Sequence, residues 1–189
     1  LLSKAPPQNV VVGNPHCADP QKRLIAASID GLRVVCAYVP NGQEVGSDKY
    51  AYKLDWLRAL HEWLSEEIAA HPNLIVAGDF NIAPDDRDVY DPPAWLGKIL
   101  CSDAERSALG QLLDLGLKDS FRLFDQPERI YSWWDYRMLG FQKNRGLRID
   151  HILVSEALKP TVTACVVDRA PRKNPQPSDH APVVVTMSA

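Results

Sequence analysis

The sequence reads as an α/β protein, because short apolar runs bounded by turn residues alternate with long amphipathic stretches. Arg23 to Ile29 and Leu32 to Val39 are apolar runs split only by Asp30-Gly31, a dipeptide that favours a type I′ hairpin because glycine accepts positive φ. Residues 48–70 carry the longest helical pattern, with Leu57, Leu60, Leu64 and Ile68 on one stripe and His71-Pro72 as its stop. Leu74-Ile75-Val76-Ala77 is a continuous apolar run, as expected of a strand covered on both faces.

The remaining elements follow from punctuation. Ser102-x-x-Glu105 fits a capping box opening a second helix, and Gly116 fits its exit. Further strands are predicted at Arg129 to Trp134, Arg148 to Val154, Thr161 to Val167 and Pro182 to Met187, and Leu1-Leu2 reads as the tail of another. Segments 84–97 and 169–179 are proline-rich charged loops, of the kind that carry function on a rigid sheet. No repeat or interdomain linker interrupts the 189 residues, so one domain is expected.

Composition narrows the function classes. The net charge is 21 − 24 = −3, which argues against a passive DNA-coating protein but permits a DNA enzyme with a local basic face. The four cysteines, Cys17, Cys36, Cys101 and Cys165, have no Cys-x-x-Cys spacing; small apolar core residues in a reduced, cytoplasmic chain are expected, not a zinc site or a disulfide framework. No apolar run is long enough for a membrane span, and the first residues lack the pattern of a secretion signal.

Polar residues gather where apolar strands end. Asp79 and Asn81 flank Phe80, and in extended backbone both would face one point while Phe80 turns to the core. A carboxylate beside an amide can take a proton from water and hold that water, although the same pair also fits an Asx turn. Asp150 sits within an apolar strand and needs a partner, either an arginine such as Arg148 or Arg145 or a histidine that it orients. Ser178-Asp179-His180 precedes the last strand, where His180 is able to pair with Asp150 and Asp179 is able to offer an oxygen to a metal. Ser178 lacks the Gly-x-Ser-x-Gly elbow, so acyl transfer ranks low. Tyr38 ends its own strand before Pro40-Asn41, where a phenol could donate to a phosphate oxygen. Between Tyr131 and Arg148, aromatics alternate with Arg137, Lys143, Arg145 and Arg148, a mixture suited to sugars, bases and phosphates. Trp133 and Trp134 point opposite ways in a strand, so one of them is expected in the core.

The succession Tyr-Val-Pro-Asn, Gly-Asp-Phe-Asn, Tyr-Ser-Trp-Trp-Asp-Tyr-Arg, Arg-Gly-Leu-Arg-Ile-Asp and Ser-Asp-His-Ala-Pro resembles the exonuclease III and apurinic/apyrimidinic endonuclease branch of the endonuclease/exonuclease/phosphatase superfamily. The resemblance spans essentially the whole chain. It implies a four-layer α/β sandwich, two packed β-sheets flanked by helices, with the active site at one end. By position it implies that Tyr38 contacts phosphate, Asp79 activates water, Asn81 orients it, and Asp150 pairs with His180. Asp79, Asn81, Asp179 and His180 would form the metal site, with Mg²⁺ as cofactor and Mn²⁺ as a second candidate. Asn41, Trp133, Tyr136, Arg137, Arg145 and Leu147 would meet DNA, with Trp133 against an abasic sugar and Leu147 near the inserting residues.

Family members begin with a strand ending in a metal-site Asn or Asp, and a second strand supplies a metal-binding Glu after Gln. Neither precedes these residues, so residues 1–189 are expected to be the C-terminal portion of a single domain. The resemblance implies a monomer acting on double-stranded DNA with abasic sites or 3′ ends. The competing expectations are a phosphoesterase for phosphoinositide, sphingomyelin or RNA, and a non-catalytic DNA-binding fragment.

Overall fold

The computed structural model describes residues 1–188. Its larger sheet has six strands in the order β1-β2-β3-β4-β6-β5. These are β1 (Gln8–Val12), β2 (Leu24–Ile29), β3 (Leu32–Tyr38), β4 (Leu74–Asp79), β5 (Leu117–Asp119) and β6 (Asp150–Ser155). A second sheet pairs β7 (Val162–Val167) with β8 (Val183–Met187).

The hairpin β2–β3 closes Ile29 against Leu32, with Asp30 at φ +49° and Gly31 at φ +79° as the dipeptide predicts. Helix α1 (Asp48–Ala70) then carries the chain back over the sheet, so that β4 lies parallel to β3. Ser47 caps α1 by accepting from the Tyr50 amide, and the helix ends at His71. A single turn, α2 (Pro92–Trp95), precedes α3 (Asp103–Asp114), whose Ser102–Glu105 capping box is complete.

One face of the six-stranded sheet packs on α1 and α3 through Val35, Val76, Trp56, Leu60, Leu64 and Leu112. The other face meets β7–β8 through Ile75, Val154, Val162 and Val185. Two sheets packed together with helices outside are the expected fold class. On the far face of β7–β8, Val166 and Val184 stay exposed.

Two expectations fail, and two strands escaped prediction. Arg129 to Trp134 is not a strand; its pairing is limited to bridges from Trp133 to Leu147 and to His180, because Ser132 turns its hydroxyl onto β6 instead of alternating along a ladder. Leu1-Leu2 is irregular, with Leu2 fully exposed. Strands β1 and β5 were not legible, since β5 has three residues and β1 is mostly exposed, leaving no run of buried residues to read. The cysteines are all unpaired, Cys101 and Cys165 buried and Cys17 and Cys36 half-buried.

Candidate active site

The register of the sheet assembles the site. Tyr38 is opposite Asp79 across β3–β4, and Asp79 is opposite Asp150 across β4–β6. Residues opposite one another in a sheet project to the same face, so three strand ends deliver their last polar side chains side by side. Gly78 permits this closeness: a Cβ there would stand 1.9 Å from the Ala37 carbonyl oxygen.

After Asp79 the chain leaves the strand. Phe80 is fully buried as expected, but Asn81 reaches Asp79 through a left-handed turn at φ +51°, not through extended alternation. Asn81 donates its amide N–H to Asp79 Oδ1 at 2.8 Å and its Nδ2 to Asp79 Oδ2 at 3.1 Å. Asn41 Nδ2 in turn donates to Asn81 Oδ1 at 3.0 Å. The Asx-turn reading of this pair is the one these bonds show.

Asp150 chooses the histidine. Its Oδ2 lies 2.8 Å from His180 Nδ1 and its Oδ1 3.1 Å from the same nitrogen. The contact joins β6 to the loop before β8, and Ser132 supports it by accepting the backbone N–H of both Ile149 and Asp150 at 3.0 Å. Burial alone would lower the His180 pKa; the bond to Asp150, the Asp150 charge, and the charges of Asp79 and Asp179 outweigh it and raise the pKa. Burial, and after it the charge of Asp150, pushes the Asp79 carboxyl up to about 6.

A hollow of about 410 Å³ gathers Tyr38, Asn41, Asp79, Asn81, Trp133, Arg137, Asp179 and His180, with Trp95, Ile99 and Leu100 as its apolar wall. A second hollow of about 430 Å³ lies on the other side of Asp79, Asp150 and His180, toward β8. Ligand atoms of Asp79, Asp150 and His180 all fall within 4.8 Å of one another, the one trio with metal-site spacing among the described residues. Asp150 thus joins Asp79 and His180 there. Asp179 stands outside the trio and accepts the Trp133 indole N–H at 3.0 Å, which fixes that ring at the rim. Asn81 reaches the trio only through its bonds to Asp79.

The outer aromatic and cationic residues divide. Arg137 and Arg145 line an adjoining cleft of about 350 Å³ with Trp95 and Trp133, Arg137 already bonded to Asp135. Tyr136 is exposed and donates to the Pro177 carbonyl. Leu147 is corrected: it is fully buried with Val89, Ile149 and Trp133, so no face remains to enter DNA. Arg148 is corrected too: it is buried against Asp88 (2.6 Å) and Asp119 (2.8 Å), not presented to phosphates. Trp134, not Trp133, is the core member of the tryptophan pair.

Sequence reasoning missed Ser132, Lys53 and Glu105. Lys53 left a signal, since it falls between Tyr50, Trp56 and Leu57 on the buried stripe of α1, where a charge is out of place. Glu105 was noticed as a cap, but not as the partner of that lysine at 2.5 Å.

A fold of this architecture, with an aspartate–histidine pair and a carboxylate–amide pair meeting at strand ends, defines a phosphoesterase class of the sandwich type. Residues 1–180 match the Endonuclease/Exonuclease/phosphatase family, and the chain belongs to it. Among its relatives is exodeoxyribonuclease III of Haemophilus influenzae, 36% identical over 97% of this chain and 73% of the relative. The exodeoxyribonuclease of Bacillus subtilis is 33% identical over 97% of this chain and 71% of its own length. A solved structure of a 3′-phosphatase, NExo from Neisseria, bound to product DNA hairpin superposes with a TM-score of 0.97 at 45% identity, covering 99% of this chain and 73% of that one. An AP endonuclease from Archaeoglobus fulgidus superposes with a TM-score of 0.94 at 34% identity, covering 99% and 73%. These relatives place the chain in the exodeoxyribonuclease III and AP endonuclease branch, a branch of hydrolases, and it spans under three quarters of their length.

Proposed function

We propose that the protein hydrolyses phosphate esters of double-stranded DNA at abasic sites and at 3′ ends, with Mg²⁺ as its metal. The observation that carries this reading is the one hollow shared by Asp79, Asn81, His180 and Trp133, a carboxylate, an amide, an imidazole donor and an aromatic wall in one phosphate- and sugar-sized space. The relatives' names, which include a 3′-phosphatase and an AP endonuclease, support both ester types.

The donor set fits a hard divalent cation. Asp79 and Asp150 repel one another, which is part of why the Asp79 carboxyl is pushed up to about 6, and a cation between them would relieve that repulsion. Mg²⁺ or Mn²⁺ would be held by these two carboxylates and would supply positive charge to the scissile phosphate.

The remaining chemistry belongs to the chain. Asp79 accepts the proton of an attacking water, and Asn81, steadied by Asn41, holds that water in line. Asp150 engages His180 Nδ1, which leaves Nε2 free to present a proton to a phosphate oxygen as negative charge builds. Tyr38, half-exposed at the rim, offers its hydroxyl to another phosphate oxygen. Asn41, Trp133, Tyr136, Arg137 and Arg145 grip the duplex around the hollow, with Trp133 against the sugar of an abasic site.

The test is cleavage of an abasic duplex and phosphate release from a 3′-phosphorylated duplex, with Mg²⁺, with Mn²⁺ and with a chelator. Both reactions should need the metal, and Asp79→Ala should lower turnover by about 10²-fold or more while binding of the abasic duplex persists. Metal-independent binding with no cleavage would mark a binding fragment. Faster hydrolysis of a phosphoinositide or sphingomyelin head group than of either DNA would overturn the substrate assignment.

A further inference from the structure

Lys53 is fully buried in the second turn of α1, and its Nζ has three acceptors: the Asn81 carbonyl at 2.7 Å, the Asn41 carbonyl at 3.2 Å and Glu105 Oε1 at 2.5 Å. Glu105, also fully buried, accepts from the Leu100 amide at 3.1 Å and the Ser102 amide at 3.0 Å. One ion pair thus ties α1 and α3 to the three loops that close one side of the hollow.

A buried ion pair rarely adds stability over a packed apolar pair, because desolvation consumes most of the Coulombic gain. What this one does instead is visible in where its bonds go. Two of the three donors of Lys53 fall on the backbones of Asn41 and Asn81, the residues whose side chains relay to Asp79. The acceptors of Glu105 hold Leu100, whose φ of +71° is unusual for a leucine and persists only where surrounding bonds over-determine it.

We infer that Lys53 is a positioning residue, with Glu105 as its counter-ion, which sets Asn41, Asn81 and the Leu100 wall relative to Asp79. The inference rests on the proposed phosphoesterase reading for its consequence, though not for its geometry. Loss of the Lys53 bonds frees the Asn81 turn to shift, and a displacement of about 1 Å costs on the order of 10²-fold in rate.

The test compares wild type with the double variant Lys53→Met, Glu105→Gln, which removes both charges and keeps one acceptor oxygen, enough for one of the Leu100 and Ser102 amides. On abasic duplex with Mg²⁺, kcat should fall by about 10²-fold with KM little changed in the folded protein, and the melting temperature should fall as well, because the Asn41 and Asn81 carbonyls lose their donor. Independently of turnover, the side-chain amide resonances of Asn41 and Asn81 should move. If the double variant does not fold, Lys53→Arg, which keeps the charge and misplaces the donors, gives the same readouts. Wild-type kcat in a folded variant, or unmoved Asn41 and Asn81 amides, would overturn the inference. A wild type that cleaves neither abasic nor 3′-phosphorylated duplex would sink the DNA reading instead, and the amide resonances would still decide the role of Lys53.

Discussion

Asp79 should weaken the fold it serves, and its replacement by asparagine measures by how much. Its carboxyl is pushed up to about 6 from an ordinary 3.8, so the folded chain binds that proton more tightly than the unfolded chain does. Wild-type stability therefore falls as pH rises between about pH 4 and about pH 6, and the full penalty is in force above that window. The difference corresponds to roughly 3 kcal/mol. Asparagine does not ionise and escapes the penalty, but its amide can accept only one of the two bonds that Asn81 now donates, a loss of about 1 kcal/mol. The net expectation near pH 7.5, in a chelator, is that Asp79→Asn stabilises by about 2 kcal/mol, raising the melting temperature by about 4–8 °C for a chain of this size. Near pH 4 the penalty is absent and the same variant should melt slightly below wild type. Thermal unfolding by circular dichroism at both pH values is sufficient, and added Mg²⁺ should close the gap by stabilising wild type more than the variant. Equal destabilisation at both pH values would refute the account of Asp79 as a carboxylate held up by burial and by Asp150.

Other outcomes follow from single contacts. Asp150→Asn should lower the His180 pKa, seen by NMR titration of the imidazole, and lower turnover by about 10²-fold, because the partner that raises that pKa is gone. Trp133→Ala should cost about 1–3 kcal/mol of preference for abasic over intact duplex, measured by competition binding; unchanged preference would remove Trp133 from the sugar pocket. Leu147→Ala should destabilise by about 2–5 kcal/mol in denaturant titration without changing the DNA affinity of the folded protein, since the side chain is fully buried. Arg148→Met should destabilise by about 3–5 kcal/mol, because Asp119 would be left buried without its cation and Asp88 with Arg122 alone.

The sheet strands adjoining the site were legible because β2, β3, β4 and β6 are apolar runs with sharp ends. The polar residues at those ends stood out because strands bury what precedes them. Tyr38, Asp79 and Asp150 were separately visible, and the register that makes them neighbours is what the sequence could not display. Burial was legible for apolar residues and misleading for charged ones. Arg148 looked like a DNA-facing cation because its partners, Asp88 and Asp119, lie 60 and 29 residues away along the chain. Leu147 looked available because an apolar residue beside cations resembles a surface wedge, yet its own backbone pairs with Trp133 and turns it inward.

The topology explains why the missed residues lie where they do. A parallel β3–β4 pair requires a crossover, and α1 is that crossover, so its buried stripe runs beneath the strand ends that carry Asn41 and Asn81. Backbone carbonyls that leave a sheet at its end have no neighbouring strand to bond, and an unpaired buried carbonyl is costly. A lysine on the crossover helix, at a core position, satisfies two of them with one side chain, provided that a carboxylate on the next helix compensates its charge. The same polar groups that the fold must satisfy at the end of β4 are the ones that orient Asp79. Satisfying the backbone and aiming the candidate catalytic side chains are thus one requirement at this end of the sheet, and a substitution that removes the Lys53 donors is expected to act on turnover and on stability together.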